Sequence, residues 1–347
     1  MLDAIVIGAG VSGLRTAGLL NAAGRSVAVL EARDRVGGRL RSVDQNSGAL
    51  DLGATWFWAN EKHITSLISE LGIETHQQHL AGDAIYHDPA GSRRIDGNPI
   101  DVPAGRFSNG AQQLATRLAA RLPDGVLQVR SVVDAIVATP EALRVSTASS
   151  SLDANHVVIA VPPALAAHSI SIDPPLPDAL SELARQTPVW MGSVVKVVVS
   201  YPTAFWRDQG FAGAAISHVG PLRELHDMSG SGGQPAALFG FAPMTRPDSP
   251  TPTESDVTAQ LVEMFGPEAA ATTSVHIEDW RAEKHTSPPL VELLRDYGTY
   301  GHPAWDTPVL EGRLHWASTE TSPVNPGHID GALARAGKIA SRIISSF

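Results

Sequence analysis

Residues 2–7 (LDAIVI) make an almost unbroken apolar run that ends on glycine, and residues 27–30 (VAVL) make a second. Between them, residues 12–23 carry Leu14, Ala17, Gly18 and Leu20 at the three-and-four spacing of a helix that lays one face on a sheet. Two apolar strands joined by a helix predict a β-α-β unit, and hence a parallel sheet with right-handed crossovers.

The same two periodicities recur along the chain. After a glycine-containing turn, Ile64, Leu67, Ile68 and Leu71 predict a helix. Residues 72–106, holding Pro89, Pro99 and Pro103, read as a turn-rich excursion. A helix is expected from Asn109 to the proline at 123, short strands at 126–129 and 143–147, and a buried strand closed by prolines at 156–163 (HVVIAVPP). From Gly192 the pattern becomes β-rich, and 228–235 (MSGSGGQP) reads as a surface hairpin or a disordered connection. A helix at 255–265, a strand at 273–279, a return to α/β character at 312–318 and a last helix from Gly331 complete the chain. No internal repeat is apparent. The expected architecture is α/β: a Rossmann-like nucleotide-binding domain from 1–78, 106–165 and 277–347, with an inserted α+β substrate domain from 79–105 and 166–276.

Composition narrows the function. With 347 residues, 43% hydrophobic and 18% charged, the chain can bury a substantial core as one large or two intertwined domains. Lys and Arg number 26 against 36 Asp and Glu, a net charge of −10 that disfavours nucleic acid and anionic membrane as partners, although a local basic patch can still bind phosphate. The lack of cysteine excludes disulfides, thiolate metal sites, a cysteine nucleophile and a flavin tethered through sulfur. The first residues hold Asp3 and no basic leader, the C-terminal helix is broken by Arg335, Lys338 and Arg342, and no run approaches the ~20 apolar residues of a membrane span. A cytoplasmic protein with a small-molecule substrate is expected.

Gly8, Gly10 and Gly13 form G-x-G-x-x-G between strand and helix. The first allows the tight turn, the second lets a pyrophosphate approach the backbone, and the third lets helix and strand pack closely. The helix start then offers free N–H groups to phosphate, and Ser12 adds a hydroxyl. Glu31 closes the second strand, where a carboxylate can accept both hydroxyls of an adenosine ribose and would repel a 2′-phosphate. The stretch that follows, EARDRVGGRLRS, adds Ala32, close-approach glycines at Gly37 and Gly38, and Arg33 and Arg39 to frame a pyrophosphate; a plain nicotinamide domain has no need of it. A solvated basic loop balanced by Glu31 and Asp34 is the plainer alternative. No metal site is expected: His76 and His79 have ligand-like spacing but read, with Asp83 and His87, as a polar surface segment. Ser12 lacks a nucleophile-elbow context, so no hydrolase constellation is present.

Taken in order, IVIGAGVSGL, EARDRVGGR, DLGATW, GSVVKVVVSYPTAFWR and HWASTETSPVNPGHIDGALARAG resemble the flavin-containing amine oxidase family, which includes monoamine, polyamine and L-amino acid oxidases. The resemblance implies an extended FAD on the N-terminal β-α-β unit. It implies that Gly53, Ala54, Thr55 and Trp56 line the flavin, that Val132 meets the adenine side by its backbone, and that Ser318, Thr319 and Glu320 with Gly327, His328 and Ile329 close around ribityl and ring. It places Lys196 near flavin N5, holding a water, and Trp280 beside flavin and substrate. From the residues alone, Lys196 shares a strand face with Val194 and Val198; it either snorkels from an exposed strand or has a task that offsets burial of its charge. Trp280 is equally open to a core role. Lys196, Trp280 and His328 are the candidate catalytic residues.

The chain also departs from that family. One ring of the aromatic cage that flanks the family's substrates falls at His328 and the other maps near Leu290, while the flavin-linking cysteine maps near Pro289, which implies non-covalent FAD. Tyr297 and Tyr300 are near enough in sequence to replace lost aromatic surface. Because a histidine can donate a hydrogen bond or titrate, a polar or carboxylated substrate is expected over a bare arylalkyl amine. The excursion at 72–106 stands where the family carries a much larger helical part, and in compactness the chain is similar to the renalase group. The implied reaction is hydride transfer from a C–N carbon to flavin N5 with dioxygen as acceptor, giving imine and hydrogen peroxide. A dehydrogenase serving a quinone or protein acceptor, a renalase-like oxidase of reduced dinucleotide isomers and a flavoprotein scaffold without turnover remain the alternatives.

Overall fold

The expected β-α-β unit forms as Leu2–Ile7, Val11–Ala22 and Val27–Leu30 in the computed structural model, which describes residues 1–243 and 249–347. Its strands belong to an eight-stranded sheet in which Leu2–Ile7 lies between Val27–Leu30 and Ser151–Ile159, parallel to both. Leu314–Trp316 extends the parallel part against the end of Ser151–Ile159, and Leu127–Gln128 extends it beyond Val27–Leu30. The unbroken apolar runs follow from burial on both faces. Ala4, Val6, Val29 and Val158 pack under the helices Val11–Ala22, Lys62–Leu71, Gln112–Ala119 and Ile329–Ile344. Ile5, Ile7, Leu30, Val157 and Ile159 face the opposite layer, around Trp305 and Trp316.

The glycine turn is sterically obligatory at two points. Gly8 has φ of 101°, and a Cβ on Gly13 would lie 2.0 Å from the Gly8 carbonyl oxygen. Backbone is what it would strike, so Gly13→Ala is expected to lower stability by about 3 kcal/mol or more. Thermal melts of the purified variant and wild type check this, and a difference within roughly 2 °C would contradict it.

A second sheet has seven strands in the spatial order Ser274–Asp279, Val194–Tyr201, Ala236–Pro243, Glu224–Asp227, Phe211–Ser217, Asp83–Asp88 and Gly91–Ile95. Along Val194–Tyr201, Val195, Val197 and Val199 point to the layer containing Trp206, Val257 and Leu261. Val198 points the other way, onto Leu50, Leu52, Met228 and Phe239. This second contact brings the hairpin Ser42–Gln45/Gly48–Asp51 against the sheet and positions the residues after Asp51.

Several expectations change. The 72–106 excursion is not merely turns: it holds Thr75–Gln77, Asp83–Asp88, Gly91–Ile95 and Gly105–Phe107, and two of these strands complete the second sheet. Asp83 and His87 therefore lie on a strand, whose pairing supplies what its mixed sequence does not announce. Val133–Ala138, left between two expected strands, is itself a strand. The 228–235 segment is a packed hairpin connection with Met228, Ser229 and Gly233 buried. The proposed boundary at 166 falls inside the helix Pro163–Ser169; Ser171–Asp173 pairs with the first sheet and Leu180 and Ala184 pack in its core, so strand pairing moves the transition toward Val194. At the other end, 277–279 finish a strand of the second sheet rather than rejoining the first. Among the described residues, no helix is long and apolar enough to cross a membrane.

Candidate active site

The glycine loop, Glu31 and Ser318 all stand at the carboxyl ends of parallel strands, where open α/β sheets bind ligands. Glu31 is buried; Oε2 accepts the Ala9 N–H at 2.7 Å and Oε1 the Arg33 N–H at 2.9 Å, tying the glycine loop to the end of the second strand. It lies on the wall of a cavity of about 550 Å³ shared with Gly8, Ala32, Arg33 and Val132. Arg33 is less free than expected: it faces Glu283 at 3.3 Å, Glu31 at 3.5 Å and Thr286 at 2.7 Å. Ser12 differs too, because its hydroxyl donates to the Ala317 carbonyl and pins the first helix to the last strand.

The residues present fit a dinucleotide cofactor. A Cβ at Gly10 would meet nothing within 4 Å, the helix after it has no side-chain cap, and Gly38 packs against Gly10 with its own Cβ position 3.6 Å from the Gly10 Cα. The Ser318 hydroxyl is buried without a partner in the protein. Arg39 forms a two-point pair with the fully buried Glu320, at 2.5 and 3.2 Å, so Glu320 holds the arginine loop.

Lys196 is fully buried on an interior strand, paired with Phe241 on one side and Glu278 on the other, so the snorkelling alternative falls. Its Nζ donates to the Gly53 carbonyl at 2.8 Å and to the Thr55 hydroxyl, and it lies 4.3 Å from the Phe239 ring centroid. Burial pushes its pKa down to about 7, opposed by the Asp51 carboxylate and reinforced by the Arg106 guanidinium. Asp51 is itself buried and held by the Ser42 hydroxyl and the Ala111 N–H. Gly53 must be glycine, since a Cβ would stand 2.0 Å from the Arg39 carbonyl oxygen. Trp280 is fully buried, donates its indole N–H to the Leu52 carbonyl at 2.9 Å, and packs with Val194 and Phe241. Trp56 donates to Gln78 and meets Phe239.

A third group forms around 318–329. Thr319 donates its hydroxyl to the His328 carbonyl, and Ile329 opens the C-terminal helix. His328 precedes that helix, half-exposed, with Nδ1 at 2.7 Å from Glu61 Oε1, which raises its pKa. Leu290, at the position of the lost second ring, is exposed, and Pro289 lines the cavity shared with Glu31. Tyr300 instead reaches the wall beside His328, with its ring 3.4 Å from where a Gly327 Cβ would be, and its hydroxyl donates to the Pro188 carbonyl at 3.0 Å.

Sequence reasoning missed Glu61, Trp58, Asp51 and Arg106, and it missed that 281–289 wall the cavity. Asp51 opens the recognised DLGATW block and Glu61 follows it by five residues, so acids in and after a motif were the available signal; nothing in sequence marks 281–289. Among the described residues no group of three or more His, Cys, Asp or Glu side chains is placed to hold a metal ion.

Comparison with known proteins bears on the family and the fold. A family described as "Flavin containing amine oxidoreductase" matches residues 11–109 and 104–344. A putrescine oxidase from Kocuria rosea is 26% identical, covering 98% of this chain and 94% of its own, and a probable flavin-containing monoamine oxidase A from Dictyostelium discoideum is 23% identical, covering 99% and 97%. The first alignment runs over 461 residues against 347 here, so that relative carries segments this chain lacks. Among solved structures, cyclohexylamine oxidase from Brevibacterium oxydans superposes with a TM-score of 0.85 at 23% identity, and putrescine oxidase bound to putrescine with 0.84 at 22%; each pairing covers 99% of both chains. At those identities the structural likeness is one of fold.

Proposed function

This chain belongs to the flavin-containing amine oxidoreductase family, and from that membership we propose that it oxidises the C–N bond of a small amine with FAD held non-covalently and dioxygen as acceptor. It is an FAD-dependent amine oxidase-like oxidoreductase. When bound, FAD supplies the redox chemistry, taking a hydride from the carbon that bears nitrogen and passing the electrons to dioxygen, so that imine and hydrogen peroxide result.

The protein binds, orients and tunes. Gly8, Gly10, Gly13 and the start of the first helix would hold the pyrophosphate, with Glu31 on the ribose and the Val132 backbone on the adenine side. Gly53 to Trp56, Trp280, Ser318 to Glu320 and Gly327 to Ile329 would enclose the remainder. With no cysteine in the chain, a thioether to the flavin is chemically impossible, which supports the non-covalent assignment. A net charge of −10 supports a small-molecule substrate over nucleic acid or anionic membrane.

The observation that carries the reading is the fully buried Lys196 ammonium, held by Gly53 and Thr55 under Phe239. A buried lysine destabilises a fold unless its charge is used or paired, and its closest partners here are a neutral carbonyl and a neutral hydroxyl. It would fix a water and concentrate positive charge beside the reacting centre. The same cost makes a scaffold without turnover a poor account of the site.

Purified protein is expected to be yellow, to bleach anaerobically with at least one member of an amine panel, and to release about one peroxide per amine oxidised in air. Bleaching without peroxide would point to the dehydrogenase alternative, and failure of every amine to bleach the flavin would refute amine oxidation.

A further inference from the structure

His328 precedes the C-terminal helix between Trp58 and the Gly327–Tyr300 contact. Gly327, with φ of 86°, lies against Tyr300, and the Trp58 ring is 5.0 Å from the imidazole. Behind the imidazole is Glu61, whose side chain is only 4% exposed while that of His328 is 46% exposed. Both Glu61 oxygens have donors: Oε2 takes the Trp58 N–H at 3.0 Å, and Oε1 faces His328 Nδ1 at 2.7 Å. A carboxylate in that position is an acceptor, so the shared proton belongs on Nδ1 and the outward nitrogen is Nε2.

The other charged group near the ring is Asp330, in the first turn of the C-terminal helix. It is buried and occupied, accepting the backbone N–H groups of His63 and Ile64 and the side-chain amide of Asn325. Lys196 and Arg39 are committed elsewhere, to Gly53 and Thr55 and to Glu320. Once the ring is protonated, which the Glu61 carboxylate behind Nδ1 favours, Nε2–H is a donor on this wall, beside the Trp58 ring. An aromatic cage suits an uncharged or apolar end group; an imidazolium presents an N–H donor to a carboxylate and no acceptor to an ammonium.

Resting on the amine-oxidation reading, we propose that the His328–Glu61 pair selects amines that carry a carboxylate as second polar group, received by His328 Nε2–H, and rejects those whose second group is an ammonium. His328 is then a specificity-determining residue, with Glu61 as its positioning residue. No bond to the substrate is made or broken by either.

The test compares end groups on one carbon skeleton. Anaerobic flavin reduction is measured with 1,4-diaminobutane and with the better of 2- and 4-aminobutanoate. At about pH 6.5 wild type is expected to favour the aminobutanoate at least tenfold in the reduction rate constant divided by Kd, and His328→Asn to reduce that preference to about threefold or less. A second readout needs no turnover: butanoate binding, followed through the FAD absorbance. Binding should weaken at least about tenfold in His328→Asn. In wild type it should also weaken as pH rises through the raised His328 pKa, and in Glu61→Gln the same weakening should begin at lower pH.

A wild type that prefers the diamine, or butanoate binding unchanged in both variants, overturns the proposal. Should no amine bleach the flavin while butanoate binding still depends on His328 and Glu61, the oxidase reading fails and the carboxylate subsite stands.

Discussion

Glu31→Ala should purify colourless. The wild-type carboxylate is buried, accepts the Ala9 and Arg33 N–H groups, and sits on the cavity wall where a ribose would bring its hydroxyls. Its removal unties the glycine loop from the second strand and takes away the anionic acceptor at that position. Hydrogen bonds to a charged group contribute about 1.5–3 kcal/mol each, so losing two weakens FAD binding by roughly a hundredfold or more. The ratio of flavin to protein absorbance after gel filtration reads this directly. Glu31→Gln, which keeps an acceptor but not the charge, should fall between the two. Full stoichiometric FAD in the alanine variant would contradict the ribose assignment.

The second large effect is expected at Lys196. Lys196→Met should keep its FAD yet slow flavin reduction or reoxidation by at least about tenfold, equivalent to ~1.4 kcal/mol of barrier. The sign of the pH dependence follows from the lysine pushed down to about 7 by burial. Below that value the ammonium is intact; as pH rises past it, a step that uses the positive charge slows, and the methionine variant should show no such fall. Stability gives an independent check. In the unfolded chain lysine keeps its proton to about 10.4, in the fold only to about 7, so across that interval the unfolded state binds more protons. Wild-type stability should therefore gain with pH in that window from this group, a gain absent in Lys196→Met. Stopped-flow traces identical to wild type in both half-reactions would reject the role.

These two residues also show how unevenly the site could be read from the chain. Glu31 was legible because its task is local: it ends a strand at a set distance from three glycines, and both elements are short-range. Lys196 was legible as an anomaly, a charge among valines, but whether it met water depended on which strands flanked it. Strands Ala236–Pro243 and Ser274–Asp279 bury it from both sides, and both are distant in sequence. His328 was singled out as a candidate, but its partner Glu61 lies far away along the chain and was invisible without the fold. That the second cage position, mapped near Leu290, carries no ring was legible; that Leu290 is exposed, that 281–289 line the cavity with Glu31 and that Tyr300 meets Gly327 was not, because each depends on packing between remote segments. The 72–106 segment was underestimated because Asp83–Asp88 joins the second sheet through residues more than a hundred positions away, and short strands have little periodic signal.

By itself, the order of residues determined the nucleotide-binding half: an apolar strand, a glycine turn, a helix and an acid at fixed separation allow few other arrangements, since turn sterics and helix periodicity act over a few residues. It also determined, through the absence of cysteine, that no thioether can form. Tertiary structure alone decided which charges face one another. Lys196 comes under Gly53 and Thr55 because Leu50, Leu52 and Val198 share an apolar contact, and Glu61 stands behind His328 because two helices dock through Asp330. Such pairings depend on packing between segments remote in the chain, and electrostatic energies are set by that distance and burial, which no local pattern encodes.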